Sequence, residues 1–268
     1  MPSKPTFVLV PGAWHRPGYF AQISAHLSDH GYPSVAVATP SVGSDPPATT
    51  MDADADAVDA AVRKVLDGGG DVILLMHSYG GGPGSQAAGR IAEEALGRGP
   101  GEGKGRIKRL VYVAGFVPIE GQPLGSPASV IPGFVPEYME FDENGNTKCN
   151  EHAQEWMYAG LPREEQRKQW EATSTHPLAT FVEPQKYAGW RYIPSTAVYA
   201  VKDKPIPLQF AEFMVKRAQG EEARLGGVRA FTGELGEVYM DCGHCAMFLL
   251  PEKVKELGKI LVAAAEES

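Results

Sequence analysis

The feature that most constrains the fold is a series of six short apolar runs separated by helix-like segments. The runs lie at 7–10, 34–38, 71–76, 110–114, 196–201 and 237–240. Each run predicts a strand, and the runs at 7–10 and 34–38 are expected to be buried on both faces. Helix patterns are found at 52–66, 83–96, 208–219 and 251–265. This alternation predicts an α/β fold with a mostly parallel, doubly wound sheet.

The regular alternation lapses between residues 117 and 192. This segment is rich in proline, glycine and aromatic residues, and it holds three of the four tryptophans, Trp156, Trp170 and Trp190. Short helical patterns occur at 151–160 and 163–171. We therefore predict a single core domain, formed by residues 1–116 and 193–268 and interrupted by a cap or lid at 117–192.

Composition narrows the classes of partner and compartment. The 25 Lys and Arg residues against 33 Asp and Glu residues give a net charge of −8, which argues against a nucleic-acid partner. The run at 7–10 is too short for a signal peptide or a membrane span, and three cysteines are too few for a secreted disulfide framework. We expect a soluble, cytoplasmic protein with no membrane partner, and the sequence leaves a homodimer open.

A serine stands in a sharp turn between the third run and the following helix. The turn spans residues 76–81, Met-His-Ser-Tyr-Gly-Gly, with the serine at Ser78. In a strand-turn-helix of this kind the hydroxyl is raised above the sheet edge, where it can act as a nucleophile. Met76 departs from the G-x-S-x-G pattern, in which the first residue is glycine, and His77 is interpreted as packing or as a residue that supports the site from behind. The alternative is an ordinary glycine-rich turn, such as one that binds phosphate.

A serine nucleophile needs a base to take its proton and an acid to orient that base. His244 lies between the last run and the last helix, where the base is expected, and Asp203 follows the run before it. The order Ser, acid, His is the one that this topology uses, and all three positions follow predicted strands. Asp241 and Glu120 are the alternative acids.

An oxyanion hole requires two backbone N–H groups directed at the developing negative charge. Tyr79 follows the serine and is expected to supply one of them. Ala13, in the loop after the first run, is expected to supply the other, with Trp14 as the alternative. Gly12 would let this loop approach the serine closely; the competing interpretation is that the loop is a tight turn and nothing more.

Two further segments carry a resemblance to a known family. Residues 8–15 read Val-Leu-Val-Pro-Gly-Ala-Trp-His, and residues 203–209 read Asp-Lys-Pro-Ile-Pro-Leu-Gln. With the serine turn, they resemble the α/β-hydrolase family over nearly the whole chain, in particular its small esterases and hydroxynitrile lyases. Where the family usually has His-Gly, this chain has Pro11 and Gly12. The resemblance supports Asp203 as the acid and implies an eight-stranded, mostly parallel sheet, a cap after the sixth strand and no cofactor.

The same resemblance bears on the reaction. The lyase members use a threonine in the first loop and a lysine directly after the catalytic histidine, where this chain has Gly12 and Cys245, so ester hydrolysis is preferred to cyanohydrin cleavage. The aromatic cap residues, together with Trp14, indicate a small or medium-sized, largely apolar ester or lactone as substrate. Two alternatives stay open: cofactor-free lyase, isomerase or oxygenase chemistry on the same scaffold, and a non-catalytic ligand-binding protein.

Two other motifs resemble functional sites but have simpler structural explanations. Cys242 and Cys245 form a C-x-x-C around His244, but a thioredoxin-like motif belongs near the start of a domain, and no second ligand pair accompanies it, so no metal is expected. Oxidation of these thiols would disturb His244, which is a regulatory hypothesis. The glycine-rich stretch 97–105 lacks the residues of a phosphate-binding loop and predicts a surface loop.

Overall fold

A parallel sheet of six strands forms the centre of the described molecule. The computed structural model describes residues 4–48, 50–98, 105–124, 136–225 and 230–268. In chain order the strands are β1 (Thr6–Val10), β2 (Ser34–Ala36), β3 (Val72–His77), β4 (Ile107–Val113), β5 (Met139–Phe141), β6 (Asn146–Cys149), β7 (His176–Pro177), β8 (Ser195–Ala200) and β9 (Glu237–Met240). The central sheet has the order β2-β1-β3-β4-β8-β9, and each neighbouring pair is parallel. The predicted doubly wound sheet is confirmed.

Helices follow the strands as the sequence pattern predicts. In chain order they are α1 (Ala21–Asp29), α2 (Asp52–Asp67), α3 (Gly81–Arg98), α4 (Ala153–Met157), α5 (Arg163–Glu171), α6 (Ala179–Val182), α7 (Leu208–Leu225), α8 (Ala246–Leu249) and α9 (Pro251–Glu266). Turns of 3₁₀ helix lie at Pro17–Phe20, Ser78–Gly80 and Gly189–Arg191. The predicted bounds of α2, α3 and α9 agree to within two residues at each end, whereas α7 continues beyond its predicted end at residue 219.

Strands β1 and β3, which lead into the loop with Ala13 and the turn with Ser78, are deeply buried. The apolar side chains of β1 from Phe7 to Val10 and of β3 from Val72 to Met76 are 0% exposed, which explains why their sequences show no polar alternation. The edge strand β2 is shorter than predicted and ends at Ala36 rather than residue 38, because its pairing with β1 ends at Leu9.

The order of the strands places a crevice beside β1. The chain passes from β1 to β2 on one side and then to β3 on the other. Ligands of open α/β sheets bind outside the carboxyl ends of the strands at such a switch point. The loop after β1 and the turn after β3, which hold Ala13 and Ser78, meet there.

The segment between β4 and β8 forms a second, smaller sheet. Strands β5, β6 and β7 are antiparallel in the order β5-β6-β7, and α4, α5 and α6 lie in the same segment. The predicted helix at 163–171 is present as α5, and the one at 151–160 is reduced to α4. The division of the chain at residues 117 and 192 stays a prediction.

The strand count implied by the resemblance is wrong for the described residues. The central sheet has six strands rather than eight, and the inserted segment follows its fourth strand rather than its sixth. The chain offers six apolar runs long enough to be buried as central strands, and each of them is used.

Two sequence predictions fall partly outside the described residues. They are the surface loop at 97–105, of which 99–104 are not described, and the predicted cap, of which 125–135 are not described. Within the described ranges, no helix combines the length and the apolar character needed to cross a bilayer.

Candidate active site

Ser78 occupies a strained turn at the carboxyl end of β3. Its φ angle is +53°, in the left-handed region that residues with a side chain seldom adopt. The 3₁₀ turn Ser78–Gly80 joins β3 directly to α3, and Ser78 is 9% exposed. Strain of this kind persists only where the surroundings impose it, and it is found most often at functional sites. The turn has the form predicted for a serine nucleophile.

The departure at Met76 is accommodated by a glycine on the next helix. Met76 is fully buried in β3. A Cβ on Gly84 would lie 2.6 Å from the Met76 sulfur, so the side chain at 76 takes the space that a glycine at 84 leaves empty. Met76 therefore fits beneath the turn without displacing it.

The loop after β1 lies directly against Ser78, as expected from Gly12. A Cβ added to Gly12 would lie 2.9 Å from the Ser78 Cβ and 3.4 Å from its Oγ. A distance below 3 Å leaves no room for a side chain at residue 12. Ala13, the next residue, is thus brought within reach of any group bound at the Ser78 hydroxyl.

Asp203 and His244 form a buried pair at the ends of β8 and β9. The His244 Nδ1–H donates to Asp203 Oδ2 at 2.7 Å, and the side chains of His244 and Asp203 are 1% and 2% exposed, respectively. The other carboxylate oxygen, Oδ1, accepts the Ile206 N–H at 2.7 Å. Both oxygens are therefore engaged, and the Nδ1 bond directs His244 Nε2 away from the acid. Sequence reasoning chose this pair, and the structure brings it together.

The alternative acids lie elsewhere and have other partners. Asp241 is an exposed residue that pairs with Lys202 at 2.8 Å. Glu120 pairs with Arg191 and accepts the Ala188 N–H at 3.0 Å. Within the described residues, neither acid contacts His244.

His77 connects the serine turn to the histidine loop, in keeping with the alternative that it supports the site from behind. Its Nε2–H donates to the His244 carbonyl at 3.3 Å, and the two rings lie 4.8 Å apart. Burial, followed by the fields of His244 and His15, holds the pKa of His77 well below its ordinary value. The ring is neutral, so a carbonyl acceptor at Nε2 leaves Nδ1 unprotonated. A histidine next to the serine was the only available signal.

Ser78 and His244 are both neighbours of His77, but they are not directly bonded. Within the described residues, the Ser78 hydroxyl makes no hydrogen bond to His244. Catalytic hydrogen bonds are often long or absent in free enzymes and shorten when substrate binds.

The two predicted oxyanion donors are buried and free. Ala13 is 2% exposed and Tyr79 is 0% exposed. Among the described residues, the backbone N–H groups of Ala13 and Tyr79 donate to no acceptor. A buried N–H without an acceptor is costly unless a ligand satisfies it. The alternative that the β1 loop is a simple turn offers no reason for this pair of free donors.

His15 fixes the loop that carries Ala13. In the sequence, only its position in the loop after β1 pointed to this role. Its Nδ1–H donates to the Ala13 carbonyl at 2.7 Å, and its Nε2 accepts the Tyr158 hydroxyl at 2.8 Å. Burial lowers the pKa of His15 to about 4, so the ring is neutral near neutral pH. Tyr158 belongs to the inserted segment, which thereby reaches the oxyanion loop.

Trp14 is held in an unusual conformation by the same segment. Its φ angle is +65°, which is rare for a bulky residue. The indole N–H donates to Thr147 Oγ1 at 3.0 Å, and the Trp14 carbonyl accepts the Ser174 N–H at 2.9 Å. The ring has Phe181 as a neighbour at 6.5 Å. Trp14 is 6% exposed, and its predicted contact with substrate stays a prediction.

The cysteines around His244 are poor ligands and poor redox groups. Side-chain donor atoms of His77, His244 and Cys245 lie within 4.8 Å of one another. The two histidines already bond through Nε2 and Nδ1 respectively, and burial raises the pKa of the Cys245 thiol well above its ordinary value. Burial also raises the pKa of Cys242 to about 12. Since the thiolate is the form that binds metals and exchanges disulfides, this cluster is interpreted as packing around the base.

The fold and the site together define a class of protein. The central sheet, the strained serine turn and the buried acid–histidine pair are those of the α/β hydrolases. The model of the alpha/beta hydrolase family matches residues 7–257. The chain belongs to the alpha/beta hydrolase family, which confirms the resemblance seen in its sequence.

Individual proteins match over most of the chain. A protein from Phoma sp. named probable hydrolase R7 is 30% identical over 265 residues, or 95% of this chain and 97% of that protein. Alpha/beta hydrolase nvfD from Aspergillus novofumigatus is 29% identical over 231 residues, or 81% of this chain and 85% of that protein. A solved pyrethroid hydrolase from Sphingobium faniae shares the fold, with a TM-score of 0.67 at 19% identity over 98% of this chain and 97% of that chain.

Proposed function

We propose that this protein is a serine hydrolase that cleaves a carboxylic ester or lactone through an acyl-enzyme. The observation that carries the proposal is the buried Asp203–His244 bond of 2.7 Å, beside a serine held at φ +53°. A buried carboxylate bonded to Nδ1 fixes the tautomer in which Nε2 is free to accept a proton. The hydrolase names of the Phoma and Aspergillus relatives support the same class of activity.

The proposed reaction has two stages. Ser78 Oγ attacks the ester carbonyl while its proton passes to His244 Nε2, and the oxyanion is stabilised by the N–H groups of Ala13 and Tyr79. The bond to the alcohol then breaks, and His244 returns the proton to the leaving oxygen. In the second stage His244 takes a proton from water, the hydroxide attacks the acyl carbon, and Ser78 leaves with that proton as the acid is released. Asp203 stabilises the charged imidazolium in both stages.

We propose a small or medium-sized, largely apolar substrate. The residues near the oxyanion loop form a dense set of aromatic rings, with Trp14, Tyr138, Phe181 and Phe116 linked by ring contacts of 6.1–6.5 Å. Apolar and aromatic linings with few polar groups select substrates of the same character. The name of the Sphingobium faniae pyrethroid hydrolase is in keeping with this substrate class. The net charge of −8 disfavours a polyanionic partner.

Replacement of the nucleophile tests the proposal. We expect Ser78→Ala to lower turnover of a p-nitrophenyl ester by at least about 10³-fold while the protein stays folded, because no other group can form the acyl-enzyme. Steady-state kinetics with circular dichroism as the folding check measures this. A serine-directed phosphonate should label the wild type at Ser78. Full activity in the variant would refute Ser78 as the nucleophile. A folded wild type that resists labelling would favour the cofactor-free chemistry considered above.

A further inference from the structure

A buried carboxylate lies beneath the residue that follows Ser78. Asp54, in the first turn of α2, is 0% exposed. It accepts hydrogen bonds from the Ser41 N–H at 2.8 Å, the Ser41 hydroxyl at 2.5 Å and the Tyr79 hydroxyl at 2.7 Å. Its oxygens bond Ser41 and Tyr79 rather than Ser78 or His244, so it takes no part in the proton transfers proposed above.

The environment of Asp54 makes its charge costly unless its donors stay in place. Burial raises the pKa of Asp54, and the bonds from Ser41 and Tyr79 oppose that rise. Removing a carboxylate from water costs several kcal/mol unless hydrogen bonds replace the hydration. The first turn of a helix adds a favourable field for negative charge. The carboxylate and its donors therefore hold one another in a fixed arrangement.

The Tyr79 side chain is held along its whole length. Its hydroxyl donates to Asp54, and its ring contacts His176 at 4.5 Å and Phe181 at 5.0 Å between centroids. Within the described residues, its backbone N–H has no acceptor. A clamped side chain on a residue with a free N–H is the arrangement expected for a donor that is oriented by its own side chain.

The adjacent backbone cannot provide this orientation by itself. Ser78 lies in the left-handed region, at φ +53°, from which a residue with a side chain relaxes unless its neighbours prevent it. Tyr79 is the next residue, so any relaxation of the turn rotates the peptide that carries the Tyr79 N–H. A donor displaced by about 1 Å loses much of its effect on a developing charge.

We propose that Asp54 is a positioning residue of the oxyanion hole, because its bond to the Tyr79 hydroxyl fixes the ring and thereby the direction of the Tyr79 N–H. This inference rests on the proposed function, in which that N–H stabilises the tetrahedral oxyanion. The negative charge develops only as the transition state forms. Loss of the bond therefore lowers kcat and leaves ground-state binding of the substrate nearly unchanged.

The decisive variant is Tyr79→Phe, which removes the hydroxyl and keeps both the ring and the backbone N–H. We expect kcat for a p-nitrophenyl ester to fall by about tenfold, with KM changed by less than about twofold, since a misdirected donor loses part of the 10²–10³-fold effect of an oxyanion donor. Tyr112→Phe is the matched control. Tyr112 is 1% exposed and its hydroxyl bonds Ser85 at 2.9 Å, so the same atom is deleted from another buried tyrosine.

A second measurement separates positioning from loss of structure. A trifluoromethyl ketone that adds to Ser78 forms an oxyanion, whereas the matching methyl ketone without fluorine binds as a neutral carbonyl compound. In Tyr79→Phe we expect affinity for the trifluoromethyl ketone to fall by the same factor as kcat/KM, with affinity for the methyl ketone unchanged. Asp54→Asn should give the same pattern. Because both changes remove the Asp54–Tyr79 bond, the double variant should lose less than the sum of the losses in the two single variants.

The outcomes also distinguish this inference from the proposed function. If the wild type shows Ser78-dependent ester hydrolysis and a folded Tyr79→Phe retains wild-type kcat, the positioning role of Asp54 is wrong and the hydrolase stands. A rise in KM alone in Tyr79→Phe would likewise overturn it, by assigning the hydroxyl to substrate binding. If Asp54→Asn does not fold, the kinetic and ketone measurements on Tyr79→Phe decide. If the wild type lacks Ser78-dependent activity, the proposed function itself fails.

Discussion

The two sides of the candidate site are held in different ways. The base side consists of Asp203 and His244, and the oxyanion side consists of residues 12–15 and Tyr79. On the base side the carboxylate is fixed by the Ile206 N–H and by the His244 ring itself. A backbone bond of 3.0 Å from the Cys245 N–H to the Met157 carbonyl links its loop to the inserted segment.

The oxyanion side depends far more on that segment. Tyr158 bonds His15, Thr147 bonds the Trp14 indole, and the Ser174 N–H bonds the Trp14 carbonyl. All three partners lie more than 130 residues from the loop in sequence. The base is thus positioned by the ends of neighbouring strands, and the oxyanion loop is held by contacts with the inserted segment. Changes in the inserted segment should therefore act on transition-state stabilisation as well as on the choice of substrate.

The largest effect is expected on the base side, from Asp203→Asn. The amide cannot compensate the charge of an imidazolium and can hold His244 in the wrong tautomer, so kcat should fall by about 10³–10⁴-fold. Asp241→Asn is the control, since that acid is exposed and pairs with Lys202 at the surface. It should change kcat by less than about twofold, because exposed ion pairs contribute little. Similar losses in both variants, measured by steady-state kinetics, would mean that Asp203 is not the acid.

A smaller effect is expected on the oxyanion side, where low pH should reduce the free energy of unfolding through His15. Histidine has an ordinary pKa near 6.5, and burial lowers that of His15 to about 4. As the pH falls below 6.5 the unfolded chain takes up a proton that the folded chain refuses, so stability is lost until the pH reaches about 4. The loss attributable to His15 is about 3 kcal/mol.

The His15→Gln variant isolates this contribution. Urea unfolding at a series of pH values between 7 and 4 should show that the free energy of unfolding falls less steeply with decreasing pH in His15→Gln than in the wild type. The difference in slope should correspond to about one fewer proton taken up on unfolding. The variant should also be less stable at pH 7, because it cannot bond both the Ala13 carbonyl and the Tyr158 hydroxyl. Parallel slopes in the two proteins would show that His15 does not link acid to stability.

The sequence predicted the central strands and the site residues that follow them. Each of the six apolar runs became a central strand. The inner strands β1, β3, β4 and β8 are largely buried, which explains their continuous apolar composition, whereas the edge strand β9 and the edge strand β2, which was predicted to be buried, are partly exposed. Ser78, Asp203 and His244 follow strands of this sheet, and the parallel arrangement carries their positions to one edge. Their spatial convergence could be inferred without knowing any contact of the inserted segment.

What the sequence did not predict are contacts made across long intervals. Nothing around Asp54 distinguishes it from its neighbours in an Asp-Ala repeat, yet it alone among the first-turn acids of α2 bonds the Tyr79 hydroxyl. His15 and Thr147 gave no pattern for the same reason. Side chains that act through one hydrogen bond to a distant residue leave no periodic signal.

The smallest effect is expected from the contact between the serine turn and the end of β1. A Cβ on Gly80 would lie 2.6 Å from the Val10 carbonyl oxygen and 2.7 Å from that of Pro11. Backbone oxygens cannot rotate away, so Gly80→Ala must push the loop with Ala13 away from the turn. We expect a loss of about 2 kcal/mol in the free energy of unfolding, typical of overpacking, and a fall in kcat of a few fold, or about 1 kcal/mol.

Gly18→Ala serves as the control for this change, because an added Cβ there meets no atom within 4 Å. It should leave kcat and the urea midpoint close to those of the wild type. If Gly80→Ala behaves like Gly18→Ala, the oxyanion side does not depend on the packing of the turn against β1. A rise in KM with unchanged kcat would instead show that the displaced loop contacts substrate. A fall in kcat with unchanged KM would show that the loop contributes to the oxyanion hole.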